Sequence, residues 1–310
     1  MRIARHLSEI RHHDRPLSVA LGVFDGVHLG HQAVIGEAVR SARAEYGDAA
    51  IITFHPHPAK VLRPESAPKL LTTEEQDCEL FSSLHIDLCV TLDFTVQLSQ
   101  CAPADFLNDV HEAAPMLHTI VVGPGWHFGN ARSGNFALLK SWAQSRQIAA
   151  IEVQPVCVEE QVISSTMIRK QIVMGDIASA NLRLGRPYQI IGRVVRGQGL
   201  GSRLGFPTAN IDVENELVPA RGVYAAKMSS AGKTYAAAVN IGHRPTVTHS
   251  GDLRVEAHLL DFSGDLYGHH VRLHFLQRLR EEQTFEGHEA LRAQLQNDCE
   301  QARNIVGSYP

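Results

Sequence analysis

The hydrophobic period of this chain changes once, just after Gly185-Arg186-Pro187, and that change requires two domains of different class. Before it, short apolar runs alternate with helical patterns. Residues 19–24 read as a strand ending in Asp25-Gly26. Residues 31–46 read as a helix, with Ala33, Val34, Ala38 and Ala42 at helical spacing. Further strands are predicted at 50–54, 86–92, 118–123 and 149–156, and helices at 74–84 and from Pro103, where proline suits a first turn. Such alternation predicts an α/β domain over residues 1–185, a parallel sheet covered on both faces. After the change come β-type runs at 188–195, 222–228, 234–241, 254–261 and 271–276, separated by Gly and Pro turns. They predict a small antiparallel barrel or sandwich over residues 186–310, closed by a helix at about 287–305.

The 310 residues are enough for two such domains, and 44% apolar with 20% charged residues describes an ordinary globular core. A formal net charge of -4 argues against a broad basic surface for DNA or RNA, although a local patch can still hold phosphates. No stretch approaches the roughly 20 apolar residues that span a bilayer. The opening MRIARHLSEI has no long apolar run, so no signal peptide or anchor is expected. Cys78, Cys89, Cys101, Cys157 and Cys299 show no CxxC spacing, so neither a zinc site nor a disulfide framework is predicted. Free thiols fit a reducing, cytoplasmic compartment. The pairs His12-His13 and His269-His270 read as exposed polar positions, because strand neighbours face opposite sides and rarely share a metal.

The segment Gly22-Val23-Phe24-Asp25-Gly26-Val27-His28-Leu29-Gly30-His31 joins the first predicted strand to the first helix. Open α/β sheets bind ligands at that kind of junction. Gly22, Gly26 and Gly30 let backbone approach a phosphate, and the helix N-terminus favours an anion. His28 and His31, three apart, can face one phosphate chain. The plain alternative is a Gly-rich turn with two surface histidines; the strand-turn-helix context weighs against it. Further on, Ile163-Ser164-Ser165-Thr166-Met167-Ile168-Arg169 follows a strand and begins a helix. Ser164 or Ser165 can cap that helix, and its amides with Arg169 can hold phosphate oxygens. Alone, this segment would read as an ordinary cap. The loops at 54–58 (Phe-His-Pro-His-Pro) and 121–129 also follow strands and are expected on the ligand side. The two prolines of the first suggest a rigid extended loop rather than a metal pair.

In the second domain, the segment 197–210 places four glycines in nine residues before Pro207-Thr208-Ala209-Asn210. A Thr hydroxyl and an Asn carbonyl are hard oxygen ligands suited to Mg2+ with nucleotide phosphates. It is not a Walker A loop, since no Gly-Lys-Ser/Thr follows. In Arg254–Asp261, Val255, Ala257 and Leu259 share one strand face and Glu256 and His258 the other. A carboxylate there can serve as general base for a hydroxyl group.

The 22–31 segment resembles the HxGH signature of nucleotidyltransferases. Beyond it, GVFDGVHLGH, TFHPHP, ISSTMIRKQIVMGD, LGRPY, LGFPTANI, RGVYAA, VNIGHRPT, VEAHLLDFSGDLYG and LRxExxF at 279–285 run in one order over nearly the whole chain. In that order and spacing the chain resembles the bacterial bifunctional riboflavin kinase/FAD synthetase family. The resemblance implies a Rossmann-like nucleotidyltransferase domain followed by a six-stranded flavokinase barrel. It implies ATP-dependent phosphorylation of riboflavin to FMN, then adenylylation of FMN to FAD, with Mg2+. It assigns His28, His31, Gly22, Phe24, Asp25, Gly30, Ser164, Thr166 and Arg169 to adenylyl transfer. Gly205, Pro207, Thr208 and Asn210 would hold nucleotide and metal, Glu256 would be the base, and Trp126, Arg280 and Phe285 would lie near flavin. The partners implied are riboflavin, FMN and ATP, with no nucleic acid and no membrane; a homo-oligomer stays open.

Two positions depart from that pattern. Gly125-Trp126 stands where the family carries Asp or Asn followed by Phe, and Ser202-Arg203 stands where it often carries Arg first. The first departure leaves open a riboflavin kinase with a weakened adenylyltransferase domain; a flavin-binding protein without turnover is a second alternative, of another class.

Overall fold

The computed structural model describes residues 1–197, 201, 205–243 and 253–309. They form two compact units, one of residues 1–69 and 74–164, the other of 70–73 and 165–310. The expected loop substitution at Ser202-Arg203, most of the 198–204 glycine loop and residues 244–246 of the VNIGHRPT segment lie outside the described residues.

The first unit carries a six-stranded sheet: β1 Arg2–Ala4, β2 Leu17–Leu21, β3 Asp48–His55, β4 Leu88–Asp93, β5 Leu117–Val122 and β6 Ala149–Glu152. All pairs are parallel, in the order β1-β4-β3-β2-β5-β6. Helices α1 Leu29–Ala44, α2 Pro58–Leu62, α3 Glu74–Ser83, α4 Val96–Ser99, α5 Pro103–Ala113 and α6 Phe136–Gln144 complete it. β2 is buried at all five positions, as a strand covered on both faces must be. Its alternate side chains feed two cores. Val19 and Leu21 join Phe106, Leu107, Val110 and Trp142 of α5 and α6; Ala20 joins Ile35, Ala38 and Phe81 of α1 and α3. The strand order reverses at β2, which lies between β3 and β5. The crevice outside the carboxyl ends of β2 and β5 is therefore the switch point where doubly wound sheets take ligands.

Several local expectations shift. The strand expected to run to 156 ends at Glu152, short of Pro155, and a two-residue hairpin of β7 Cys157–Val158 and β8 Gln161–Val162 follows. The loop at 54–58 is not extended throughout. His57 caps the short helix α2, its Nδ1 accepting from the Ala59 amide at 3.1 Å, and Pro58 takes the first helical position.

The second unit holds α7 Ser165–Met174, α8 Ile177–Leu184, β9 Tyr188–Val195, β10 Ala209–Val213, β11 Gly222–Ser230, β12 Lys233–His243, β13 Leu253–Leu259, β14 His270–Arg280 and α9 His288–Ser308. The six strands close into an antiparallel barrel, β10-β13-β12-β11-β14-β9, with β9 pairing back to β10. Closure leaves no strand edge open. β10 is the strand that the residue pattern read only as the PTAN loop, because five residues including Asn and Asp give a weak β signal. The barrel interior takes Tyr224, Phe275, Val239, Ile241, Val255 and Ala257, all essentially inaccessible. Across the wall, α9 lays Leu291, Leu295, Asp298, Cys299, Ala302 and Ile305 along one helical face.

By packing, the division falls at Ser164/Ser165, whereas the period change falls at 185/186. α8 explains the difference. Its buried Asn181 accepts from the Tyr188 amide at 2.7 Å and donates to the Phe275 carbonyl at 2.9 Å, tying the helix to β9 and β14.

Candidate active sites

In the first unit, β2 ends at Leu21 and the chain turns through Gly26 at φ 80° into α1. His28 is the N-cap of α1: its Nδ1 accepts from the His31 amide at 3.2 Å. Spending Nδ1 as an acceptor puts the neutral imidazole's proton on Nε2, a donor suited to an anion. The His28 and His31 rings stack at 3.6 Å and 20°, so the pair forms one array at the helix N-terminus, where backbone amides already favour negative charge. Phe24 stands edge-on to His31 at 5.4 Å and to Phe81 at 6.0 Å, fixing the array against the core. Gly30 has a steric reason: a Cβ there would meet His28 ring atoms at 3.1 Å. Gly22 lies beside the Phe24 ring, which a Cβ would meet at 3.5 Å, and Asp25 is buried in the turn.

β5 lies beside β2, with Val19 opposite Ile120 and Ala20 opposite Val121, so the loop after β5 opens at the same end of the sheet. Trp126 stacks on Phe128 at 4.2 Å and 15°, leaving one indole face turned away from Phe128. Gly125 sits at φ 65°, the left-handed region that Asn and Asp tolerate best after glycine. Glycine thus allows this backbone but supplies no polar side chain. Its amide donates to Glu152 Oε1 at 3.2 Å, and its carbonyl accepts from His127 Nδ1 at 2.8 Å. Ser164 closes this unit, while Thr166 and Arg169 stand on α7 of the other.

In the second unit a cavity of about 330 Å³ opens between the outer barrel wall and α9. Thr208, Asn240, Arg254, Glu256, His258, Arg280 and Phe285 line it, with Leu291, Leu295 and Asp298 of α9. Register accounts for the grouping: Glu256 pairs with Asn210 of β10 on one side and Asn240 of β12 on the other. Cross-strand partners share a face, so the PTAN segment and the carboxylate come together although 46 residues apart in number. Val255, Ala257 and Leu259 turn into the barrel, as their alternation predicts.

Thr208 is backed by Gly201, where a Cβ would lie 2.4 Å from the Phe206 carbonyl oxygen and 3.2 Å from Thr208 Oγ1. His258 Nδ1 donates to the Pro207 carbonyl at 2.8 Å and so fixes the approach to β10. Gly205, at φ 90°, and Pro207 set that approach without lining the cavity. Thr208 Oγ1 and Asn210 Oδ1 are oxygen donors of the kind a hard dication takes, with the Glu256 carboxylate beside them. Asn210 Oδ1 and Glu256 Oε1 each already face a cation, accepting from Arg254 at 2.8 Å. That chemistry fits Mg2+.

Arg280 lies over the Phe285 ring at 5.7 Å and is gripped by Asp298, 2.7 Å at the closest approach, with the carboxylate almost wholly buried. Gln294 donates to the same carboxylate at 2.9 Å. Sequence reading missed Asn240, Arg254 and Asp298. Asp298 left a signal: a charged residue on the apolar stripe of α9, which a buried partner must compensate.

The FAD synthetase family profile matches residues 10–167 and the riboflavin kinase profile matches residues 184–306. A bifunctional riboflavin kinase/FMN adenylyltransferase of Pseudomonas fluorescens is 34% identical over 99% of this chain and 98% of its own. The enzyme of the same name from Listeria monocytogenes is 37% identical over 92% and 91%. The chain belongs to the bifunctional riboflavin kinase/FMN adenylyltransferase family. As a member it is an enzyme with both domains, so the comparisons support the two-activity reading over a kinase alone or a passive flavin binder. A solved structure from Streptococcus pneumoniae, named a macrolide-efflux protein, superposes with a TM-score of 0.89 at 29% identity over 97% of this chain and 98% of its own. That likeness bears on fold; the efflux in its name has no counterpart in the domains matched here. Among the described residues, no helix is long and apolar enough to cross a membrane.

Proposed function

We propose that the two reactions of the family are divided between the sites just described, at boundaries near 185/186: FMN adenylylation in residues 1–185 and riboflavin phosphorylation in residues 186–310. The observation that carries this reading is the 330 Å³ cavity, which gathers Thr208, Glu256, Arg280 and Phe285 from three separate segments.

In the barrel, Glu256 takes the proton of the riboflavin 5′-hydroxyl as that oxygen attacks the γ-phosphorus of ATP, the bond to the β-phosphate oxygen breaks and ADP leaves. Arg280 and Phe285 hold the flavin. Thr208 and Asn210 would hold Mg2+ with the nucleotide, and Gly205 and Pro207 shape the backbone beside it. When bound, Mg2+ offsets the charge on the phosphates. In the α/β domain no protein nucleophile is needed: an FMN phosphate oxygen attacks the α-phosphorus of ATP and pyrophosphate leaves. Positioning and charge stabilisation supply the catalysis. His28 and His31 donate to the triphosphate, with Gly22, Phe24, Asp25 and Gly30 shaping their turn and Ser164, Thr166 and Arg169 adding a second phosphate clamp. Trp126 offers its outer face to the flavin. The enzyme works in the cytoplasm on riboflavin, FMN and ATP, without nucleic acid or membrane.

The test is chromatography of products from riboflavin, ATP and Mg2+, beside a reaction started from FMN. FAD from both supports the reading and shows that glycine at 125 is tolerated. FMN from the first and nothing from the second would overturn the assignment of the α/β domain.

A further inference from the structure

Arg254 takes no part in the reaction just described, yet it contacts two of its central residues. It precedes Glu256 by two positions on β13 and so shares its face. Its Nε donates to Asn210 Oδ1 at 2.8 Å, and its Nη2 lies 2.8 Å from Glu256 Oε1. Both charged side chains are only about a fifth exposed, at 22% and 21%. The contact is not incidental to a floppy amide. The Asn210 carboxamide packs against Gly197, where a Cβ would lie 2.1 Å from Asn210 Nδ2, so the amide is backed on that side while its oxygen meets Arg254. Arg280 is committed to Asp298 and His258 to the Pro207 carbonyl. Among the described residues lining the cavity, Arg254 is the cation that reaches both oxygens.

We propose that Arg254 is a resident internal cation of the barrel site, a positioning residue that must release Asn210 before Mg2+ is held there and Glu256 before it takes a proton. The inference rests on the reading of Asn210 as a metal ligand and Glu256 as the base. A guanidinium and a dication cannot share the same lone pairs, and their like charges repel at contact distance. With Arg254 in place, the two oxygens are kept aimed at one point and their charge is partly neutralised while no nucleotide is present. Free Mg2+ must then compete with a tethered cation. A nucleotide shifts that balance, because its phosphates offer the displaced guanidinium a new anionic partner. Arg254 thereby makes metal entry depend on nucleotide entry.

The test is calorimetric titration of ADP into the full-length protein at stepped Mg2+, comparing wild type, Arg254→Gln, Arg254→Met and Asn210→Ala. The part of the Mg2+-dependent binding lost in Asn210→Ala identifies the barrel's share. For that share, both Arg254 variants are expected to reach half-saturation at about fivefold lower Mg2+, the scale of a partly screened ion pair. The Mg2+ dependence of FMN formation should shift the same way, and FAD formation from FMN should keep its own. If Asn210→Ala removes the barrel's share while both Arg254 variants need equal or more Mg2+, the ligand reading stands and the role of Arg254 is wrong. If Asn210→Ala removes nothing, the metal-ligand reading falls and takes this inference with it.

Discussion

The two proposed nucleotide sites of this chain are built in opposite ways. The histidine array of the first is local: Gly22 to His31 is one turn between one strand and one helix, and His28 and His31 stack because a helix start places them so. The second is assembled at long range, from Thr208, Asn240, Glu256, Arg280, Phe285 and Asp298 on three strands, two loops and a helix. A local site depends on backbone geometry within ten residues. A remote site depends on barrel register and on how α9 seats against the wall. The two should therefore fail differently under mutation.

The sharpest separation comes from the base. Glu256→Gln should lower FMN formation by about 10²- to 10⁴-fold while FAD formation from FMN persists. Kinase activity near wild type in that variant would remove Glu256 from its role. His28→Ala combined with His31→Ala should do the reverse. Loss of two preorganised donors to a developing charge is expected to cost FAD synthesis roughly 10³-fold, with FMN formation intact. An unchanged rate of FAD formation, measured from FMN and ATP, would break the comparison at its first half.

Smaller effects probe the construction. Asp298→Ala leaves the Arg280 guanidinium without its buried partner, a change that costs about 3–5 kcal/mol. Urea unfolding should show that loss, and the surviving folded enzyme should show a raised KM for riboflavin with FAD synthesis from FMN spared. A riboflavin KM equal to wild type would mean that Arg280 does not touch the flavin. Gly30→Ala should be the mildest. The helix tolerates alanine, but the His28 ring must shift by a few tenths of an ångström from the 3.1 Å contact. Misplacement of a phosphate donor by that much is expected to lower kcat/KM for FAD synthesis about tenfold, with no loss of thermal stability.

Legibility in the sequence follows the same division. The HxGH array was readable because strand end, glycines and helix start fall within ten residues, and local geometry follows from local residue types. The five β-runs of the barrel and the closing helix were readable from their periods. So was the face carrying Glu256, since alternation alone sends Val255 and Ala257 inward. β10 was not, because its five residues have no strong pattern and become a strand only by pairing with β9 and β13. The α7–α8 segment looked like the tail of the α/β domain. Its packing on the barrel follows from the two hydrogen bonds of Asn181, which nothing nearby in the chain announces.

By itself the sequence determined the two architectures, one α/β and one β-barrel, and the two family signatures. These follow from periodicity and from motifs whose parts are neighbours in the chain. Only the tertiary structure decided which residues complete the barrel cavity. Register set Asn210 and Asn240 beside Glu256, the guanidinium of Arg254 turned to both Asn210 and Glu256, and the seating of α9 brought Asp298 to Arg280. Those contacts join residues 16 or more positions apart, or turn on where one side chain points, and the linear order of the chain carries neither.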